Sequence, residues 1–337
     1  MKKRGLGIGC MWYGIGNTGL PNPAGAFIDW LDDGTVNLFV GAADIGQGSD
    51  TVLAQIAAEE LGVNYEDINV ISADTGTTPD GGATSASRQT YISGNAVLQA
   101  AQEVKALVVQ EAAELLGVGK EQVVCKNRQI YVRGQEQDCK SVEEVIRNCR
   151  QKGILTVGHG CHNPDTTKLD PETGQGNPYG AYAFATQVVE VEVDTTTGQI
   201  EVLNIFAAHD VGRAINPSQV QAQIEGGSIM GIGYGLFEEM ITDEGRIKTS
   251  SFSTYLIPTV KDIPNVYPLI VEEPEDSGPY GAKGVGEPAL IPTAAAIANA
   301  VYDAIGIRFT ELPLTPEKVL ERLKEKASMI GGDARGR

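Results

Sequence analysis

Two glycine-rich loops, each opening an apolar helix, constrain this 337-residue chain more than any other feature. Near the C-terminus, Gly281-Ala282-Lys283-Gly284-Val285-Gly286-Glu287-Pro288 sets one carboxylate between glycines and a proline. It leads into an alanine-rich helix predicted over residues 293–305. Earlier, a strand predicted at 36–40 runs into Gly41-Ala42-Ala43-Asp44-Ile45-Gly46-Gln47-Gly48, with a helix predicted over about 51–61. Glycines at this density let a backbone approach a ligand and reach dihedrals closed to other residues. The helix behind each loop points its first amides and positive dipole end at the same place. The shared form suggests a diverged internal duplication in which Gln47 and Glu287 correspond. Either loop alone reads as an ordinary tight turn with a helix cap.

The net charge of −18 argues against binding a phosphate backbone or an anionic membrane surface, both of which need clustered Lys and Arg. Nucleic acid and membrane are therefore not expected partners. No apolar run is expected to reach the length of a membrane span, and Met1-Lys2-Lys3-Arg4-Gly5 lacks the apolar core of a signal peptide. The expected location is the cytoplasm. Cys10, Cys125, Cys139, Cys149 and Cys161 form no C-x-x-C pair, so neither zinc nor an iron–sulfur cluster is supported, and reduced structural thiols fit.

Strand and helix signals are mixed along the chain, which places it in the α+β class. A hairpin is predicted around Asp32-Asp33-Gly34, a strand at 68–71, a helix at 96–116, a hairpin at 123–132 and a helix at 142–152. Residues 74–89 form a long polar segment of the kind that is more often functional than idle. Residues 159–179 read as a loop, followed by strands at 183–193 and 200–209 and a glycine-rich helix at 218–234. Glycines 226, 227, 231, 233 and 235 make sense in that helix if a neighbouring helix or a cofactor packs very close. The expected layout is two lobes, each a mixed β-sheet flanked by helices. The first covers residues 1–155 and the second 156–327 with the Glu287 loop; a disordered tail follows over 328–337.

Gly5-Leu6-Gly7-Ile8-Gly9 lacks a preceding strand and a following helix, so a dinucleotide loop is rejected, and no P-loop, G-x-S-x-G or H-E-x-x-H is present. What remains is a set of loops able to cradle a large polar ligand: Gly46-Gln47-Gly48, Thr84-Ser85-Ala86-Ser87-Arg88-Gln89, Gln223-Ile224-Glu225-Gly226-Gly227 and the Glu287 loop. Together with Asp210-Val211-Gly212, their order resembles the molybdenum-binding subunits of the xanthine dehydrogenase and aldehyde oxidase family. The resemblance runs from Arg4 to about Leu323 and looks like only the C-terminal half of that family's molybdenum region. Among members built from separate subunits it most resembles the medium molybdopterin subunit of nicotinate dehydrogenase.

The resemblance implies a molybdopterin cofactor, as the cytosine dinucleotide, whose dithiolene holds molybdenum bearing a terminal sulfido or selenido ligand; no protein side chain ligates the metal. Gln47, with Gly46 and Gly48, would lie beside the pterin, and Gln223 would hydrogen-bond it. Ser85, Ala86, Ser87 and Arg88 would supply amides and hydroxyls at the metal's other side or to the phosphate, and Gly286 would flank the cofactor. Glu287 matches the family's active-site glutamate, the base that takes a proton from water activated at the metal. Tyr13 and Asn17, with Trp12, lie in a segment resembling the stretch that reaches the substrate pocket; an ordinary core role fits the aromatics equally. The implied reaction is hydroxylation of an electron-poor carbon of an N-heteroaromatic such as nicotinate, with aldehydes as rivals. The family's N-terminal molybdenum half, iron–sulfur cysteines and flavin domain are absent here. The resemblance therefore implies a larger molybdopterin subunit completing the site, an iron–sulfur subunit and an FAD subunit, and an inactive chain when alone. A non-catalytic scaffold is the competing reading, opposed by the presence of both Gln47 and Glu287.

Overall fold

The computed structural model describes residues 1–333. Its strands are β1 (Lys2–Gly14), β2 (Ala24–Trp30), β3 (Val36–Val40), β4 (Ile68–Ser72), β5 (Val123–Lys126), β6 (Gln129–Val132), β7 (Cys139–Ser141), β8 (Val157–His162), β9 (Tyr182–Asp194), β10 (Ile200–Asp210), β11 (Thr242–Asp243), β12 (Arg246–Ile247) and β13 (Asn265–Val271). The helices are α1 (Ser49–Leu61), α2 (Gly94–Leu116), α3 (Val142–Gln151), α4 (Pro217–Ile232), α5 (Ile291–Ile305) and α6 (Pro316–Asp333).

Two four-stranded sheets organise the chain, ordered β4-β3-β2-β8 and β1-β9-β10-β13. Each is antiparallel except for one parallel join, β3 with β4 and β10 with β13. The period-two alternation of the strands puts Ala26, Ile28, Trp30, Val36, Leu38 and Val40 in one core and Val189, Val191 and Val193 in another. Helices α1 and α2 complete the first core, α4 and α5 the second. The α+β class and the two mixed, helix-flanked sheets expected from sequence are therefore present.

The lobes repeat one connectivity: a hairpin, a helix, a parallel strand and a second helix. In the first this is β2-β3-α1-β4-α2, in the second β9-β10-α4-β13-α5. That order corrects the correspondence expected between Gln47 and Glu287. The Gln47 loop precedes α1, so its counterpart is the loop at 211–216 before α4. Glu287 precedes α5, so its counterpart is the loop at 85–88 before α2.

Each sheet ends on a strand taken from the other side of the chain. β1 pairs along its whole length with β9, from Lys2 opposite Asp194 to Gly14 opposite Tyr182, so residues 2–14 belong to the second lobe. β8 pairs with β2, so residues 157–162 belong to the first. The boundary expected at 155 is thus crossed twice, and residues 159–162 of the loop expected over 159–179 are strand. Both edge strands carry glycines where a helix lies against them. A Cβ at Gly7 would stand 2.1 Å from the carbonyl oxygen of Ala296 in α5, and one at Gly160 would stand 2.1 Å from that of Ala96 in α2. The Gly5-Gly7-Gly9 run is therefore a helix-packing surface.

Residues Glu287–Ile305 pass the length and composition test for a membrane span, 19 residues at a mean hydropathy of 1.2, contrary to the expectation that no run would. In the fold this stretch is the central helix of the second core, with Ala296, Ile297, Ala300 and Val301 fully buried. The tail expected from 328 begins as helix, since α6 continues to Asp333; residues 334–337 lie outside the described residues.

Candidate active site

The loops that precede α2 and α5 meet between the lobes. Ala86 and Ser87 both take the left-handed conformation, with φ of 52° and 53°, an uncommon choice for residues with a Cβ. The amide of Gly16, just beyond β1, donates to the Ala86 carbonyl at 2.9 Å and fixes that turn. So arranged, the Ala86 amide donates to Glu287 Oε1 at 3.1 Å and Ser87 Oγ donates to Glu287 Oε2 at 3.2 Å. Ser87 Oγ in turn accepts the Glu287 amide at 2.9 Å. The Tyr13 hydroxyl, from the end of β1, also donates to Oε2. Burial first, then the bond to Glu287, pushes the Tyr13 pKa well above its ordinary value, so this phenol stays a donor. Such proximity needs Gly284: a Cβ there would lie 1.9 Å from the Ser87 carbonyl oxygen.

Beside Glu287 opens a cleft of about 540 Å³, lined among others by Trp12, Tyr13, Asn17, Ala86 and Tyr179. Trp12 is no core aromatic. It is 66% exposed and stacks on Tyr182 with ring centroids 5.2 Å apart. Asn17 is held at the cleft by its amide, which donates to Asn22 Oδ1 at 3.1 Å.

Behind Glu287 stands a buried polar network that sequence reasoning missed. Gln187, fully buried on the inner face of β9, donates from Nε2 to the Ala289 carbonyl at 2.9 Å and accepts Thr293 Oγ1 at 2.6 Å. It thereby ties the turn Glu287–Ala289 and the start of α5 to the sheet. His209 Nε2 lies 3.2 Å from the same Nε2, and burial lowers the His209 pKa to about 4. Gly227 and Gly231 of α4 press on this turn, with a Cβ at either reaching Ala289 or Thr293 at 2.4 Å. The close neighbour demanded by the α4 glycines is thus the Glu287 turn and α5. A second missed pair is Lys283 with Asp210, joined at 2.7 Å with both side chains nearly buried, which pins the loop's other end to β10. The signal available for Gln187 was a polar residue in phase with the buried positions of an alternating strand.

The remaining expected residues sit differently. Gln47 turns into its own loop, accepting the Ile45 amide at 2.6 Å and donating to Ser49 Oγ at 2.8 Å. The amides of Gly46 and Gly48 go to Asp44 Oδ1 at 2.7 and 3.4 Å, so the loop's own carboxylate occupies part of the expected cradle. Against the opposing effect of burial, the amides of Gly46, Asp50 and Gly48 hold the Asp44 carboxyl below its usual range. Arg88 faces away from the cleft: its buried guanidinium donates to the carbonyls of Asn22 and Pro23 at 2.9 and 2.8 Å, which makes it a scaffold for the turn. Ser85 is exposed and its carbonyl accepts the Arg88 amide. Gly286 is exposed beside Ser87 Oγ. Gln223 and Gln47 line one small cavity of about 50 Å³ between the lobes, with Gln219, Arg213, Lys283 and Val285. Gln219 Oε1 is buried there without a hydrogen-bond partner.

Residues 1–264 match the family model of the molybdopterin cofactor-binding domain. The chain belongs to that family. Its relatives include the putative xanthine dehydrogenase molybdenum-binding subunit of Escherichia coli K12, 35% identical over 95% of this chain. Subunit gamma of the 6-hydroxypseudooxynicotine dehydrogenase complex of Paenarthrobacter nicotinovorans is 33% identical over 95%. Among solved structures, quinoline 2-oxidoreductase from Pseudomonas putida 86 superposes with a TM-score of 0.86 at 29% identity, over 96% of this chain. This molybdopterin-binding chain spans only part of these proteins: 42%, 40% and 42% of their lengths, respectively. Membership confirms the resemblance to the xanthine dehydrogenase and aldehyde oxidoreductase group.

Proposed function

We propose that this chain forms one side of the molybdenum site of a multi-subunit hydroxylase, with Glu287 as the general base. The reaction is hydroxylation of an electron-poor carbon of an N-heteroaromatic, with water as the oxygen source. One observation carries the reading: the Glu287 carboxylate, gripped by Ala86, Ser87 and Tyr13 at the rim of an aromatic-lined cleft.

The polar groups of the site fit a molybdopterin, which is larger than the present cavity of about 50 Å³ and needs the Gln47 side chain to swing out. The unpartnered, buried Gln219 Oε1 calls for an N–H donor, which a pterin carries in number, and it lies in the cavity that Gln47 and Gln223 also line. Gln47 and Gln223 would hold the pterin, Gln47 by turning its amide away from Ser49. Gly46, Gly48 and Gly286 would allow close approach, and Ser85, Ala86 and Ser87 would face the metal side. Arg88 would act only by shaping their turn. Among the described residues no three His, Cys, Asp or Glu side chains converge, and the dithiolene would hold the metal. When bound, the group supplies a two-electron acceptor and acidifies water.

This chain's part is to place the base and the ring. An ionised carboxylate offers about four acceptor positions. Oε2 receives two hydroxyls and Oε1 a single amide, so Oε1 keeps a position open for the proton it is to take. The three donors fix the carboxylate's direction, and Tyr13, which stays protonated, does not compete as a base. Tyr13, Trp12 and Tyr179 offer flat faces for a ring, and Asn17 an amide for its polar edge. The cytosine dinucleotide, the sulfido or selenido ligand, iron–sulfur and FAD centres on partner subunits, a cytoplasmic location and nicotinate as substrate rest on family resemblance alone.

The test is metal analysis of the complex isolated with its native partners, with turnover of Glu287→Gln on N-heteroaromatic acids and on aldehydes. Molybdenum retained while turnover falls roughly 10²–10⁴-fold supports the base. Turnover on aldehydes alone would replace the substrate class, and an intact complex free of molybdenum would overturn the proposal.

A further inference from the structure

The sheet β1-β9-β10-β13 is covered on one side only. Its inner face packs on α4 and α5, whereas its outer face has no layer upon it among the described residues. Residues directly opposite in the register share a face, so the outer face reads in rows. One row is Ile8, Val188, Phe206 and Tyr267; the next is Cys10, Thr186, Ala208 and Leu269. Trp12 and Phe184 form the row nearest the cleft. Ile8, Trp12, Phe184, Phe206 and Leu269 are each 43–66% exposed. At the far end the face turns polar and pairs with itself, Lys2 with Glu192 at 2.6 Å and Arg4 with Glu192 at 3.3 Å.

An apolar face of three rows across four strands covers roughly 400 Å² by ordinary strand spacings. That is the size of the largest apolar patch on a typical soluble protein, which is often functional, and about half of one partner's share of a standard interface. Its position is informative. The apolar end adjoins the cleft through Trp12, one residue from Tyr13, while the self-paired polar end points away.

We infer that this outer face is the docking surface for the polypeptide carrying the remainder of the molybdenum region, which sits on it by an apolar layer reaching to the rim of the Glu287 cleft. The occupant follows from length and continuity: relatives are matched over only 40–42% of their length, and the face runs through Trp12 to the rim of the cleft that the proposed function leaves to be completed. A second copy of this chain is disfavoured, since two bodies of net charge −18 would meet face to face. The inference rests on the proposed function for its choice of partner, although not for the existence of the surface.

Cys10 is a native probe, an exposed thiol in the middle of the face, and Cys161 is an exposed thiol on β8, away from it. Maleimide labelling of the intact complex, read by mass spectrometry, should modify Cys10 at least tenfold more slowly than the same thiol on the released chain. Cys161 should change little. As a second arm, Ile8→Glu and Leu269→Glu in the co-produced complex should each lose the partner on native mass spectrometry. Leu155→Glu, which alters an exposed apolar side chain off the face, should keep it. Equal labelling of Cys10 in the complex and the released chain would overturn the inference, as would a released chain that protects Cys10 by pairing with itself. A complex lacking molybdenum in which Cys10 is still protected would sink the proposed function and leave the docking surface standing.

Discussion

The two lobes are built alike and do opposite things at their meeting point. Each lays an alanine-rich helix on the glycines of a borrowed edge strand, α2 on β8 and α5 on β1, and each opens that helix with a tight loop. The first lobe's loop presents donors, the Ala86 amide and the Ser87 hydroxyl. The second presents an acceptor, the Glu287 carboxylate. Similar scaffolds bring the two helix starts together, and the difference in what each loop offers makes one polar site rather than two. The lesson lies at the level of packing: the glycines that look like ligand loops, at 5, 7 and 9, set helix depth, and the chemistry sits where the helices begin.

If the helix–strand packing is equivalent in the lobes, Gly7→Val and Gly160→Val should both be severe. Each new side chain would collide with helix backbone at 2.1 Å, and overpacking of this kind costs about 3 kcal/mol or more. Chemical denaturation should show comparable losses; tolerance in one lobe alone would break the parallel. A pH series tests two histidines, half-buried His162 in the first lobe and buried His209 in the second, whose pKa values burial lowers. Unfolded His binds its proton near the ordinary value of 6.5, while folded His209 resists until about 4. The unfolded state therefore holds more protons in that window, and stability falls as pH drops from 6.5 to 4, by roughly 3 kcal/mol for His209. His209→Gln should flatten the slope; an unchanged slope would show that the ring is not held neutral.

Smaller effects separate the base from its supports. Gln187→Ala leaves the Ala289 carbonyl and the Thr293 hydroxyl short of a partner in the core, a cost of about 1–3 kcal/mol in thermal unfolding. Tyr13→Phe removes one of three donors to Glu287 and should lower turnover roughly tenfold, the size of one bond to a charged group. No change in turnover would make Tyr13 a wall of the cleft and nothing more.

Much of this was legible in the sequence. Helices α1, α2, α3 and α5 fall within a few residues of the expected spans, because their apolar periodicity and flanking glycines are local signals. Glu287 stood out for the same reason, as a lone carboxylate in a glycine–proline frame. The partnership of β1 with β9 was not legible, since it joins residues about 180 positions apart and local pattern carries no register between them. The left-handed turn at Ala86 and Ser87 was hidden because neither residue advertises a positive φ. Gln47 and Arg88 were placed at the cofactor by resemblance, and the structure turns Gln47 onto its own loop and Arg88 onto the carbonyls of Asn22 and Pro23.

The central claim is that the first lobe's donors act on catalysis through Glu287. A double-mutant cycle of Ser87→Ala with Glu287→Gln, measured as turnover of the molybdenum-loaded complex, tests it most directly. The account predicts that Ser87→Ala lowers turnover roughly tenfold when Glu287 is present and changes it little when residue 287 is already Gln. Additive losses would contradict it, because Ser87 would then act on the reaction by a route that does not pass through the carboxylate.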